Sequence, residues 1–201
     1  MTQYEKDLEA VKQDGYALKR VKDQTPELCL EAVKQNGIAL RYVRDQTPEI
    51  CLEAVKQDGY ALQFVKKPTS EICLEAVKQD GYALQYVKKQ TQEICLEAVK
   101  QSGYALKHVK DQTPELCLAA VKRVGLALEY VKNQTPELCL AALRSGKQSA
   151  IYLRSPLDNK VLRYLVENNI KFDRRLVKRN IPEDLKLLLV LNYNIPASKF
   201  K

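Results

Sequence analysis

Residues 46–67 read QTPEICLEAVKQDGYALQFVKK, and nearly the same twenty-two letters return on both sides of them. The six cysteines stand at 29, 51, 73, 95, 117 and 139, and six of the seven glycines at 15, 37, 59, 81, 103 and 125, every step 22 residues. Gly146, the seventh, arrives one residue early. Two residue types confined to one phase each mark a tandem array of small supersecondary units. The unit predicts two short helices. Thr25 is placed to cap the first and Pro26 to open it, at the one helical position where a missing N–H costs nothing. Glu27 and Glu31 lie near the positive end of the helix dipole and Lys34 near the negative end. Gly37 offers the left-handed residue that closes the first helix, at about Gln35 or Asn36, while the Asp, Asn or Ser before most of the glycines offers a cap for the second. The sequence supports both roles. The second helix is expected over about residues 37–44, ending at the next Thr-Pro.

A helix of ten residues is marginal alone in water. Leu28, Cys29, Leu30, Ala32 and Val33 spread over too much of its surface for one partner to bury, so each hairpin must lean on its neighbours. The predicted fold is therefore all-α: an α-solenoid of stacked 22-residue helical hairpins with a helical C-terminal cap. The first unit has Lys6 and Asp7 where later units have leucine or isoleucine and cysteine, as an exposed end requires. Six repeats and a degenerate seventh occupy residues 1–146, and a basic cap follows at 147–201. Three cap helices are expected: Pro156 to Glu167 with Ser155 as its cap, Asp173 to Arg179, and Pro182 to Leu191. Val161, Leu162, Leu165 and Val166 form an apolar stripe, and the run from Leu185 to Leu191 reads as buried.

The stretch LEAVKQDGYALQYVKKQTQEICLEAVKQSGYAL, residues 74–106, resembles short helical repeats of unknown function in proteins of giant viruses, phages and some bacteria, with a pattern near L-x-A-V-x-x-N-G-x-A-L-x-Y. The resemblance covers roughly residues 8–142 and not the tail. Ser102 and Val124 depart from it at the Asn position, and Ile38 and Leu126 at the first tyrosine. It implies helical repeats and a viral or mobile-element source, and it carries no catalytic residues or cofactor.

The cysteines are expected to pack rather than react. Stacked hairpins set equivalent residues about 9–10 Å apart, beyond the ~7 Å that a disulfide spans. Zinc wants closely spaced pairs of ligands, whereas the spacing here is 22 and the single histidine is His108. Two aromatic phases follow the glycines. One residue on stand Tyr16, Ile38, Tyr60, Tyr82, Tyr104 and Leu126; five residues on stand Arg20, Tyr42, Phe64, Tyr86, His108 and Tyr130. Four residues apart on a helix, the two phases would share a face. Substitution by Ile and Leu marks the first phase as core and by Arg and His the second as partly exposed. Tyr42, Phe64, Tyr86, His108 and Tyr130 are the candidate contacts for a protein partner.

Net charge is +8, but residues 1–146 hold 21 basic and 20 acidic side chains against 12 and 5 in residues 147–201. Arg174, Arg175, Lys178 and Arg179 would lie on one side of a helix and form a basic patch able to meet phosphate or an acidic partner. No phosphate-binding loop, H-E-x-x-H, nucleophile elbow or G-x-G-x-x-G is present. The Glu27/Glu31 pair recurs in unit after unit, which suits a surface element better than an acid–base site. No enzyme activity, metal or cofactor is expected. With no apolar run long enough to span a bilayer and no secretory leader at the N-terminus, the expected setting is the cytoplasm, a host's if the source is viral. The expected role is a non-catalytic binding or scaffold protein that captures a protein partner, blocking a host component where the source is viral; nucleic-acid binding through the basic tail is the alternative.

Overall fold

The computed structural model describes residues 1–154, 156–178 and 181–200. Helices joined by short turns make up these residues, with no strand among them. They form two compact units, Met1–Lys110 and Asp111–Lys201; the passage from repeats to cap falls inside the second. Among the described residues, no helix is long and apolar enough to cross a membrane.

The first unit holds α1 (Gln3–Gln13), α2 (Pro26–Gln35), α3 (Pro48–Gln57), α4 (Ser70–Gln79) and α5 (Gln92–Gln101), each followed by a six-residue 3-10 helix. Those short helices span Gly15–Arg20, Gly37–Tyr42, Gly59–Phe64, Gly81–Tyr86 and Gly103–His108. Every α-helix is capped by a threonine whose hydroxyl accepts a backbone N–H, such as Thr25 from Leu28 and Thr47 from Ile50. Within the unit α-helix packs on α-helix and 3-10 helix on 3-10 helix of the next repeat. Leu28, Ala32, Val33, Leu40 and Val43, with their equivalents in the later repeats, are buried. At the open end Lys6 is exposed and Asp7 half-buried.

The second helix of each hairpin is 3-10 rather than α. Six residues leave room for few i→i−4 bonds, and the tighter i→i−3 ladder closes instead, as in the Val43 N–H to Leu40 C=O bond. The choice left open at the glycine is also resolved. Asn36, Asp58 and Asp80 cap the 3-10 helices by accepting the N–H of Ile38, Tyr60 and Tyr82. No glycine has a positive φ, so none closes a helix in the left-handed region. The requirement is instead steric. A Cβ at Gly37 would lie 2.4 Å from the Ala54 carbonyl oxygen of the next repeat, and one at Gly59 2.6 Å from that of Ala76. Left-handed residues do occur in the tail, at Asn169 and Asn194.

The second unit holds α6 (Pro114–Arg123) and α7 (Pro136–Ser145), followed by 3-10 helices Gly125–Tyr130 and Lys147–Tyr152. The cap then supplies α8 (Asn159–Glu167), a 3-10 turn Arg174–Leu176, α9 (Glu183–Tyr193) and a 3-10 segment Ala197–Phe200. The first cap helix starts later than the sequence suggests, at Asn159, with Asp158 as its cap; Ser155, expected in that role, lies outside the described residues. Val161, Leu162, Leu165 and Val166 are buried as their spacing predicts. The expectation of a wholly buried 185–191 run fails. Leu185 and Leu189 are buried, but Leu187 is 60% and Leu191 69% exposed, because α9 is packed on one side only.

Candidate functional site

The aromatic residues are brought together, but not in the way helical spacing suggests. At about three residues per turn, positions four apart on a 3-10 helix point some 120° from one another. Three rings of the first phase therefore meet the second-phase ring of the next repeat. Tyr16 packs edge-on against Tyr42, Tyr60 against Tyr86 and Tyr82 against His108, all with centroids 6.0 Å apart. Where Ile38 interrupts the first phase, Arg41 enters, its guanidinium carbon 5.3 Å from both the Tyr42 and the Phe64 ring. Lys19 lies 5.9 Å over Tyr42 as well.

The division into a core phase and an exposed phase does not hold. Tyr42, Phe64, Tyr86, His108 and Tyr130 are all half-buried, but so are Ile38, Tyr60, Tyr82 and Tyr104, and Tyr16 is 41% exposed. Within the first unit both phases form one half-covered surface. In the first unit the five 3-10 helices that build it contain no Asp or Glu, while Lys19, Arg20, Arg41 and Lys107 add positive charge. Burial, helped by Lys107, holds the His108 imidazole below its ordinary pKa of 6.5, so at neutral pH it is an uncharged member of the row.

The cysteines are free and buried. Burial pushes the thiols of Cys29, Cys51, Cys73 and Cys117 up, and that of Cys139 up to about 11. They are held as thiols, the inert form. Their surroundings contain a device that the sequence reading missed. Gln46 donates from its amide to the Phe64 carbonyl of the next repeat (2.9 Å) and to Leu40 of its own (3.4 Å). Its Oε1 accepts from the Lys66 N–H (2.9 Å) and lies 3.7 Å from the Cys51 sulfur. Gln24, Gln90, Gln112 and Gln134 bolt their repeats in the same manner. The signal was present as a glutamine fixed in phase, broken once by Pro68. There the Lys88 N–H has no hydrogen-bond partner among the described residues. A second glutamine acts at the other end of the hairpin, where Gln57, Gln79 and Gln101 accept the N–H of Gly37, Gly59 and Gly81.

Basic residues one position after each repeat valine also serve the stack. Arg44 donates to the Lys22 and Val21 carbonyls, Lys66 to Arg44 and Lys110 to Lys88. In the tail, Arg174, Arg175 and Lys178 are exposed, but the helix expected to align them is reduced to the turn Arg174–Leu176. Arg175 pairs with Asp173 at 2.6 Å and holds its carboxyl below the usual range. Arg179 lies outside the described residues.

A family model described as Domain of unknown function (DUF4116) matches the chain three times in tandem, at residues 8–47, 25–67 and 69–112, together more than half of its length. No curated protein and no solved structure matches it.

Proposed function

Because the chain belongs to the DUF4116 family, whose description assigns no activity, we propose from its surface that it is a non-catalytic binding module that captures a segment of a protein partner on its 3-10 helices. One observation carries this reading: five successive 3-10 helices of the first unit present half-covered aromatic rings and cationic side chains without one carboxylate. Rings already held edge-on by a neighbour lose little freedom on binding, and such rigid aromatic anchors supply most of the energy in protein interfaces. Tyr42, Phe64, Tyr86 and His108 are the contact residues in this unit, and Tyr130 holds the same phase in the second. Blocking of a host component, as the likeness to giant-virus repeats implies, is one form of such capture. The buried, protonated thiols offer no competing chemistry. Nucleic-acid binding through the tail has less support, since Arg175 is already paired with Asp173.

The test is affinity capture with mass spectrometry, with and without nuclease, for the wild-type chain and for the double variant Phe64→Ala/Tyr86→Ala. Nuclease-resistant partners should be captured by the wild type and lost from the variant while the circular-dichroism spectrum persists. Capture by a well-folded variant at wild-type level would overturn the reading, and so would partners that vanish on nuclease treatment.

A further inference from the structure

The turns that join each 3-10 helix to the next α-helix follow one recipe, and two neighbouring turns break it together. Residues 21–26 read VKDQTP and residues 43–48 VRDQTP, but residues 65–70 read VKKPTS and residues 87–92 VKKQTQ. In both altered turns the acid becomes lysine, and the proline that opens the helix becomes a residue that carries an N–H. Because α4 packs on α5 and the 3-10 helix Gly59–Phe64 on Gly81–Tyr86, the two altered turns lie side by side. Lys66, Lys67, Lys88 and Lys89 are all exposed there, and neither turn contains an acid. Lys67, Lys88 and Lys89 form no ion pair among the described residues. The missing glutamine bolt falls between these two turns, leaving the Lys88 N–H as a further donor.

Beside the lysines is a cavity of about 430 Å³. Pro48, Cys51 and Ile72 line its apolar part, and Arg44, Lys66 and Lys67 supply cations. Asp45 lines it too and ends the cationic run on that side.

We propose that this turn edge binds a short acidic peptide segment carrying an apolar side chain, at a surface distinct from the 3-10 helices. The lysines match carboxylates, and the cavity accepts the apolar side chain. The size of the patch decides against a nucleic acid strand. From the cavity-lining turn at residues 43–48 to the altered turn at 87–92 is two repeat steps, at about 10 Å each about 20 Å, or about six extended residues at roughly 3.3–3.6 Å. A longer polyanion would run on to Asp45 and Asp23, where charge opposes it.

The experiment measures fluorescence anisotropy of a labelled six-residue peptide, ELELEL, against the full chain, with the neutral QLQLQL and a six-nucleotide oligothymidylate as comparison probes. The variant is Lys67→Asp/Lys89→Asp, which installs the acid that Asp23 and Asp45 already provide in the same fold. The acidic peptide should bind at least tenfold more tightly than the neutral one, and the variant should lose at least tenfold while its melting curve stays unchanged. Phe64→Ala/Tyr86→Ala should leave this binding intact, which separates failure here from failure of the proposed function. Equal binding of ELELEL and QLQLQL, indifference to the lysine variant, or preference for the oligonucleotide would each overturn the proposal.

Discussion

Replacing Gln46 by alanine removes one bolt and leaves the rest of the stack in place. Two of its contacts are well formed, to the Phe64 carbonyl and from the Lys66 N–H, both at 2.9 Å; those to Leu40 and Cys51 are long, at 3.4 and 3.7 Å. At about 1 kcal/mol net for each good bond, with some penalty for a partly buried carbonyl left without its donor, the loss is about 2–3 kcal/mol. Pro68 occupies the same phase with no bolt to lose. Pro68→Ala should therefore cost only the ~0.4–1 kcal/mol that follows from a looser unfolded chain. Stability in a repeat array is a sum of unit and interface contributions, so the assay must be local. Amide hydrogen exchange at Ala54 and Ala76, buried in α3 and α4 on either side of the lost bolt, reads that interface. A loss of 2 kcal/mol corresponds to exchange about thirtyfold faster, at 1.4 kcal/mol per factor of ten. Gln46→Ala should show it and Pro68→Ala should not. Equal exchange in the two variants, or a change in Gln46→Ala confined to the Lys66 amide, would refute the idea that the glutamines hold the repeats together.

Gly59→Ala should destabilise by about 1–3 kcal/mol, because the new methyl meets the Ala76 carbonyl and the Gln79 amide of the next repeat in a packed interface; Gly146→Ala, whose three nearest neighbours all belong to the flexible Gln148 side chain, should be mild, and urea melts of the two variants check the contrast. His108 binds its proton less readily folded than unfolded, so stability at neutral pH is lost as pH falls from about 6.5 through the lower folded pKa. His108→Tyr, the residue of the same phase at Tyr86 and Tyr130, should flatten that part of the pH–stability curve, and an unchanged slope would remove the histidine from the account.

The legible part of this protein was the part governed by neighbours in sequence. Thr-Pro starts, acids and lysines at opposite helix ends, and a 22-residue phase are signals that act within a turn or two, and α2 (Pro26–Gln35) runs as they predict. Burial of the cysteines followed from the same reasoning, since hairpins this small have nowhere to place an apolar stripe except against one another.

What only tertiary structure decided lies between repeats. Gly37 was legible as special, but the reason is the Ala54 carbonyl seventeen positions on. The aromatic rows were legible as rows, yet Tyr16 pairs with Tyr42 rather than with Arg20, because a 3-10 helix turns its residues differently from an α-helix. Nothing in its own repeat marks the partners of Gln24, the Tyr42 carbonyl and the Arg44 N–H of the following one. In α9, an all-round apolar run was read as buried, although Leu187 and Leu191 are open to solvent. Hydrophobicity tells a residue's preference, while its surroundings depend on which elements pack beside it. Local propensities fix where each helix begins and ends; the contacts that lock one repeat to the next exist only after the chain has stacked.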